Sequence, residues 1–189
     1  HSSLFALFLL SLFLRLALIS KGPYHVDVLD LMMKAEYLLK TGELQPLFGS
    51  GYPLSVLLAA GSIRLCQFFG IPDAAFAVNL VGVVFGALAV AAYYALARRI
   101  FDARSALLGA ILFSVSPIFL GLSVYGKNHV PALYFLLQAM VFLTRAVRDE
   151  KHSFFILAGV CLGAMGACRL QDTILMIVPL LFFVFVLAP

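Results

Sequence analysis

The feature that most constrains this chain is its set of long apolar segments. Seven of them follow one another along the sequence: 4–19, 53–69, 74–97, 106–125, 131–146, 154–168 and 174–188. Most approach or reach the ~17–25 residues that a helix needs to cross a bilayer. Only 12% of the residues are charged, which is too few for the surface of a water-soluble domain. The sequence therefore predicts an all-α, polytopic integral membrane protein.

Two basic clusters indicate which of these segments cross the membrane. They flank short loops and consist of Arg98, Arg99 and Arg104 in one case and of Arg145, Arg148 and Lys151 in the other. If all seven segments crossed, the clusters would lie on opposite sides, whereas the positive-inside rule places both in the cytoplasm. Segment 53–69 is short, begins at Pro53 and carries Arg64. We therefore expect it to lie along the outer interface instead of spanning.

The resulting topology has six spans and one long outer loop. The expected spans are 4–19, 74–97, 106–125, 131–146, 154–168 and 174–188. The outer loop, residues 21–73, is expected to hold two interfacial helices. The chain starts without Met and ends directly after an apolar run, so we expect residues 1–189 to be a segment of a longer protein. Arg15, inside the first span, is expected to snorkel or to pair within the bundle.

The first part of the outer loop predicts an amphipathic helix at the membrane edge. Asp27 and Asp30 lie in its first turn, where the helix dipole favours negative charge. Gly42 provides a stop signal, and the apolar face consists of Val28, Leu31, Ala35, Leu38 and Leu39. A carboxylate at a lipid boundary is costly unless it has a use. Asp27 is therefore either a cap or dipole partner of its own helix or a functional carboxylate.

Several short motifs occur in a fixed order along the chain. The first is the spacing between Asp27, Ala35, Leu39 and Gly42 in the outer loop. The motifs that follow are Tyr52-Pro53-Leu54, Asn79-Leu80, Gly86-Ala87-Leu88, residues 94–101, Ser116-Pro117, residues 130–135 and residues 157–163. Together they resemble the lipid-dependent membrane glycosyltransferases of the GT-C class, which include protein O-mannosyltransferases and aminoarabinose transferases of lipid A. The resemblance covers nearly the whole chain, as the N-terminal transmembrane module of such an enzyme.

The resemblance implies transfer of a sugar from a polyprenyl-phosphate donor to an acceptor at the outer face of the membrane. Asp27 is then the general base that takes the acceptor proton. Family members often place a second acid directly after the first, where this chain has Val28, and Asp30 is the candidate that compensates. The departing phosphate needs positive charge. The candidate donor contacts at the outer face are Arg64, Lys127, His129 and Arg169.

Two ways of neutralising the phosphate stay open in the sequence. His129 is a possible ligand of a divalent cation, and Lys127 offers a positive charge without any metal. Related enzymes often carry an acid near this position, where the chain has Asn128 and His129. No residue is therefore assigned as a metal ligand, and a divalent cation is the one cofactor considered.

The predicted partners are the lipid-linked donor, the membrane lipid and an acceptor that is a protein, a lipid or a glycan. Nucleic-acid-binding patterns are missing from the sequence. The expected location is the plasma (inner) membrane with the active face outward, or the endoplasmic reticulum in a eukaryote. Two alternatives remain: a non-catalytic scaffold with the same fold, and a transporter segment. A transporter would need ionisable residues at mid-membrane in facing helices, and the later spans carry almost none.

Overall fold

The computed structural model describes residues 2–23, 25–47 and 52–187 of the chain. Within these ranges the fold consists of helices, as the apolar segments predict. They are α1 (Ser2–Ala17), α2 (Val26–Thr41), α3 (Pro53–Phe68), α4 (Ala74–Ile100), α5 (Ala103–Val115), α6 (Pro117–Val124), α7 (His129–Arg148), α8 (Ser153–Cys168) and α9 (Leu170–Leu187). The last residue of the predicted span 174–188 lies outside the described residues.

Helix α2 forms where the sequence predicts the amphipathic helix. Val28, Leu31 and Ala35 are buried, so the apolar face packs against the neighbouring helices. Gly42 ends the helix with a φ of 77° and donates its N–H to the carbonyl of Leu38 at 2.9 Å, a conformation that glycine adopts at low cost. The N-cap is His25 and not Asp27. The alternative that Asp27 caps its own helix is therefore wrong, and Asp27 lies in the first turn.

Helix α3 begins with Pro53, which suits the first turn of a helix because proline lacks the N–H that would go unused there. It packs against α2, α4 and α8. Val56 and Ile63 are buried on one side, whereas Leu57 and Phe68 are exposed on the other. The helix has 16 residues, the same number as α1 and α8.

Helix α4 is the centre of the bundle and contacts α1, α2, α3, α5, α6 and α7. Of the described helices, α4 and α7 are by themselves long and apolar enough to cross a membrane. The pair α5 and α6 reaches that length together, and α1, α3, α8 and α9 are shorter apolar helices. Small residues such as Gly82 and Gly86 are buried on α4, which lets other segments approach its backbone closely.

The predicted span 106–125 is divided in two. Helices α5 and α6 meet at Ser116-Pro117 with a bend of 57°. Proline causes this break because its ring excludes the helical hydrogen bond and disfavours a helical residue before it. Ser116 accordingly has a ψ of 124°.

Arg15 fills the space beside this break and is fully buried. Its guanidinium donates to the Ser114 carbonyl at 3.2 Å and to the Ser123 hydroxyl at 2.9 Å, and it also bonds to Ser11. The Ser114 carbonyl belongs to the last turn of α5, where carbonyls have no partner inside the helix. The prediction that Arg15 pairs within the bundle is confirmed. Its partners are hydroxyl and carbonyl groups.

The two basic clusters lie at the same end of the bundle, as predicted. Arg148, at the end of α7, donates to the carbonyl of Arg99, at the end of α4, at 2.6 Å. Asp102 follows α4 and caps α5 by accepting from the N–H groups of Arg104 and Ser105. The hydroxyl of Ser105, with these backbone N–H groups, holds the pKa of Asp102 below its ordinary value.

Candidate functional site

Three segments meet at the end of the bundle opposite the basic clusters, and we call this region the head end. It consists of residues 20–23 with 25–27, residues 125–129 and residues 168–172, and each segment leads into the start of a helix. Asn79 joins the first two segments, since its amide bonds to the Ser20 carbonyl and to the Gly126 N–H, both at 2.9 Å. Asn128 joins the second and third by donating to the Cys168 carbonyl at 3.1 Å. Chemistry-bearing side chains from distant parts of the sequence therefore converge here.

The central contact of the head end is an ion pair between Asp27 and Lys127. The Lys127 Nζ lies 3.8 Å from the Asp27 Oδ2. The lysine side chain is only 15% exposed and the aspartate side chain 34%, so the pair is partly shielded from water. Shielding of this kind strengthens the interaction of each charge with any ligand that enters. The sequence proposed both residues for the site, and the structure places them in contact.

His25 contacts the same carboxylate. Its Nδ1 lies 3.2 Å from the Asp27 backbone N–H and 3.3 Å from the Asp27 Oδ2. One nitrogen cannot accept from the first and donate to the second at the same time. We assign the acceptor role, because it satisfies an N–H at the start of α2 that has no partner inside the helix. Lys127 is therefore the cationic partner of Asp27.

His129, Arg169 and Asp172 form a second polar chain in the head end. The Arg169 Nη1 lies 2.7 Å from the His129 Nε2, and the Arg169 Nε donates to the Asp172 Oδ1 at 2.7 Å. Arginine keeps its protons, so it donates and the His129 Nε2 accepts. His129 is therefore a neutral imidazole in this arrangement, with its proton on Nδ1. That nitrogen is the one left to donate to a ligand.

A cavity of about 430 Å³ opens beside the Asp27–Lys127 pair. His25 and Lys127 contribute its polar wall. The remaining wall is mostly apolar and is formed by Pro117, Ile118, Gly121, Leu122 and Tyr125. Four of these residues belong to α6, and Ile118 is 78% exposed. The cavity thus joins a charged group at one side to an apolar helix face at the other.

Two predicted site residues lie outside these contacts. Asp30 is half-buried, one turn beyond Asp27 on α2, and has no hydrogen-bond or ion-pair partner among the described residues. Arg64 is exposed on α3 and lines a separate groove with Glu36 and Gln67. Ser55 marks where α3 reaches the head end, since its hydroxyl donates to the Cys168 carbonyl. Arg64 follows Ser55 by nine residues, which is about 13 Å along a helix.

The structure also gives contacts at the head end to three residues that the sequence analysis did not assign to the site. Asn79 is fully buried and bonds to two of the head-end segments. Asn128 is also buried, with 7% of its surface exposed. A polar amide within or beside an apolar run is the signal that could have singled them out, because such a group needs partners. Asp172 forms an ion pair with Arg169. The described residues contain no group of three or more His, Cys, Asp or Glu side chains placed to hold a metal ion.

Apolar helices around a central α4, with ionisable side chains gathered at the head end, define an integral membrane protein with a polar site at one end of its bundle. Residues 53–189 match the family described as dolichyl-phosphate-mannose-protein mannosyltransferase. The match covers more than half of the chain, and the chain belongs to this family of GT-C-like glycosyltransferases. The resemblance noted in the sequence is therefore confirmed. Comparisons with curated proteins and with solved structures found no match.

The matched segment contains some of the candidate site residues and not others. Lys127, His129, Arg169 and Arg64 lie inside it, whereas α2 with Asp27 and Asp30 precedes it. Asp27 on α2 is connected to these residues through its ion pair with Lys127.

Proposed function

We propose that this protein transfers a sugar from a polyprenyl-phosphate donor to an acceptor hydroxyl, with Asp27 as the general base. Mannose is the sugar and protein the acceptor that the family description names, and both are part of the proposal. The reaction takes place at the head end. This end faces outward from the plasma (inner) membrane, or into the lumen if the chain is eukaryotic, because the basic clusters at the other end favour the cytoplasm.

The observation that carries the proposal is the position of Lys127, which forms an ion pair with Asp27 and lines a cavity with one apolar wall. A lipid-linked sugar phosphate has an anionic group between a sugar and an isoprenoid tail. The exposed apolar face of α6 suits the tail, and Lys127 suits the phosphate. Asp27, 3.8 Å from the lysine, would then lie next to the bond between the sugar and the phosphate.

The chemistry follows from these positions. The acceptor oxygen attacks the anomeric carbon of the sugar, and a new C–O bond forms as its proton passes to the Asp27 carboxylate. The bond between the anomeric carbon and the phosphate oxygen breaks, and its electron pair stays on the phosphate. The products are the glycosylated acceptor and the polyprenyl phosphate. The lysine beside Asp27 is released to the phosphate as negative charge develops there.

The developing charge on the phosphate is shared among Lys127, Arg169 and His129. Arg169 is held by Asp172 on one side and by His129 on the other, which fixes its guanidinium without blocking all five of its N–H groups. His129 would donate from Nδ1. Asp30 is kept as a second acid, one turn along α2 from Asp27. Arg64, in its separate groove, is proposed only as a peripheral contact.

The topology that fits this function has six spans and an interfacial α3. In that arrangement α1, α4, the bent pair α5–α6, α7, α8 and α9 cross the membrane. Helices α2 and α3 lie at the head end, where α2 can hold Asp27 at the level at which a lipid-linked phosphate is found.

The proposal is tested with the whole chain in lipid nanodiscs, polyprenyl-phosphate [³H]mannose as the donor and a Ser/Thr-rich peptide as the acceptor. Asp27→Asn should lower the transfer rate about 100-fold or more, as expected on loss of a general base. Donor binding, measured by co-sedimentation of the label, should change by less than about threefold. Glu36→Gln is the matched control, because Glu36 is a half-exposed acid on the same helix.

The other outcomes separate the alternatives. Equal transfer by the parent chain and by Asp27→Asn would overturn the assignment of the base, and Asp30→Asn would then be the variant to compare. Donor binding without transfer by any variant would favour a non-catalytic scaffold. In a separate assay with the chain in sealed proteoliposomes, movement of the label across the bilayer without transfer to the peptide would favour a transporter.

A further inference from the structure

Asn79 is a fully buried amide on the central helix of an otherwise apolar bundle. Burying an amide is costly unless all its polar atoms find partners. Here they do, and none of the partners lies within α4. The Nδ2 donates to the carbonyls of Ser20 and Gly22 at 2.9 Å and 3.3 Å, and the Oδ1 accepts from the N–H of Gly126 at 2.9 Å.

These partners belong to the two segments that carry the central ion pair. Ser20 and Gly22 lie just before α2, whose first turn holds Asp27. Gly126 is the residue directly before Lys127. One side chain thus bonds, at the same time, to the backbone leading into the carboxylate and to the backbone leading into the lysine.

The second segment is also pressed against α4 itself. A Cβ on Gly126 would lie 2.5 Å from a methyl carbon of Val78 and 2.6 Å from its carbonyl oxygen. A Cβ on Gly82 would overlap the carbonyl of Tyr125. The backbone around residue 126 therefore packs directly against α4, and its N–H at Gly126 is bonded there to the Asn79 amide. The first segment is joined to α6 as well, since the Ser20 N–H donates to the Val124 carbonyl at 3.2 Å.

We propose that Asn79 is a positioning residue that sets the separation between Asp27 and Lys127. The proposal rests on the function proposed above for those two side chains. It adds that one side chain of the central helix α4 bonds to the backbone that precedes each of them. Asp27 lies in the first turn of α2, whereas Lys127 lies on the short segment between α6 and α7. Such a segment by itself holds a side chain less precisely than a helix does, so the lysine needs this support most.

The first test measures geometry and requires no activity. Asp27 and Lys127 are both changed to Cys in a chain whose Cys66, Cys161 and Cys168 are Ala, and a short bifunctional methanethiosulfonate cross-links them. Adding Asn79→Leu should lower the yield of cross-linked chain about threefold or more. Thr144→Val is the matched control. Thr144 is equally buried, but its hydroxyl bonds only to its own helix, at the Met140 carbonyl, so the yield should stay within about 1.5-fold.

The second test measures transfer with the native Asp27 and Lys127. Asn79→Leu should lower kcat about tenfold or more while the KM for the donor changes by less than about threefold, because the phosphate contacts from Arg169 remain. Thr144→Val should keep both values within about twofold. Equal losses in kcat for the two variants would indicate a general structural effect and would overturn the proposal.

Asn79→Asp is a second variant, with a side chain of nearly the same size as the native one. It keeps the oxygen that accepts from Gly126 and removes the donors to Ser20 and Gly22, so the cross-linking yield should again fall about threefold or more. An unchanged yield in either variant overturns the proposal. Loss of the folded peak in both, with Thr144→Val intact, would assign Asn79 a role in folding alone. If Asp27 is not the base, transfer data fail while the cross-linking result still stands.

Discussion

Gly86 on α4 makes room for Arg15 on α1. A Cβ built on Gly86 would lie 2.7 Å from the Arg15 Nε and 2.7 Å from the Ser123 Cβ. Glycine thus lets α4 pass close to a guanidinium that bonds to groups on α5 and α6. The broken α5–α6 segment and the central helix are held together around this one cation.

We expect Gly86→Ala to destabilise the protein by about 1–3 kcal/mol, as overpacking of a tight interior does. The added methyl group meets the Arg15 side chain and the Ser123 Cβ, and Arg15 cannot withdraw without losing its hydrogen bonds. The melting temperature in detergent, followed by size-exclusion chromatography, measures the effect. Gly159→Ala is the control, because no atom lies within 4 Å of a Cβ there and alanine favours a helix. Equal melting temperatures for the two variants would contradict the close packing at Gly86.

Arg15→Lys should also destabilise the protein, by about 2 kcal/mol or more. The planar guanidinium bonds to α1, α5 and α6 at once, whereas an ammonium group cannot match that geometry and would bury a charge with fewer partners. Arg104→Lys, at an exposed site on α5, should stay within about 0.5 kcal/mol of the parent. The same melting assay compares them. A stable Arg15→Lys chain would show that a positive charge alone suffices at the α5–α6 break.

Lys127→Gln should raise the KM for the polyprenyl-phosphate donor about tenfold or more, since a hydrogen bond to a charged group contributes roughly 1.5–3 kcal/mol. It should also leave Asp27 without its cationic partner, and transfer should slow. Steady-state kinetics with varied donor concentration measures both effects. Lys21→Gln, an exposed lysine in the first head-end segment, should change KM by less than about twofold. A larger effect at Lys21 than at Lys127 would move the donor phosphate away from the proposed cavity.

Arg64→Gln should alter transfer far less than Arg169→Gln does. Arg64 is exposed in the groove between α2 and α3, about 13 Å along α3 from the point where that helix meets the head end. We expect less than about threefold change in donor KM for Arg64→Gln and about tenfold or more for Arg169→Gln. Donor titrations of the two variants side by side give the comparison. If Arg64→Gln has the larger effect, the phosphate lies in the α2–α3 groove.

Local signals in the sequence predict the local structure well. The apolar positions of α2 repeat with the helical period and Gly42 stops it, so the helix and its buried face are predictable. The break at Ser116-Pro117 has an equally local cause, although the apolar run around it suggests one span. Proline outweighs apolar length here because its effect on the backbone does not depend on the surroundings.

The contacts within the head end are predictable only in part. The positive-inside rule, applied to the two basic clusters, predicts one common end of the bundle for Asp27, Lys127, His129 and Arg169. It cannot pair Asp27 with Lys127, one hundred residues away in sequence, because that contact depends on how α2 and α6 pack against α4. The contacts of the Asn79 amide are not predictable from the sequence either. Its partners are backbone atoms, which every residue has, so no motif distinguishes them.

The order in which the chain is synthesised limits the order in which the head-end contacts can form. Arg169 follows His129 by 40 residues, so the ribosome has to release the whole of α7 and α8 before the imidazole can meet its guanidinium. Asp27 and Lys127 can pair earlier, as soon as α6 and the residues up to 127 have been made. During biosynthesis the Asp27–Lys127 ion pair can thus form first, and Arg169 can join the site only after α8 is complete.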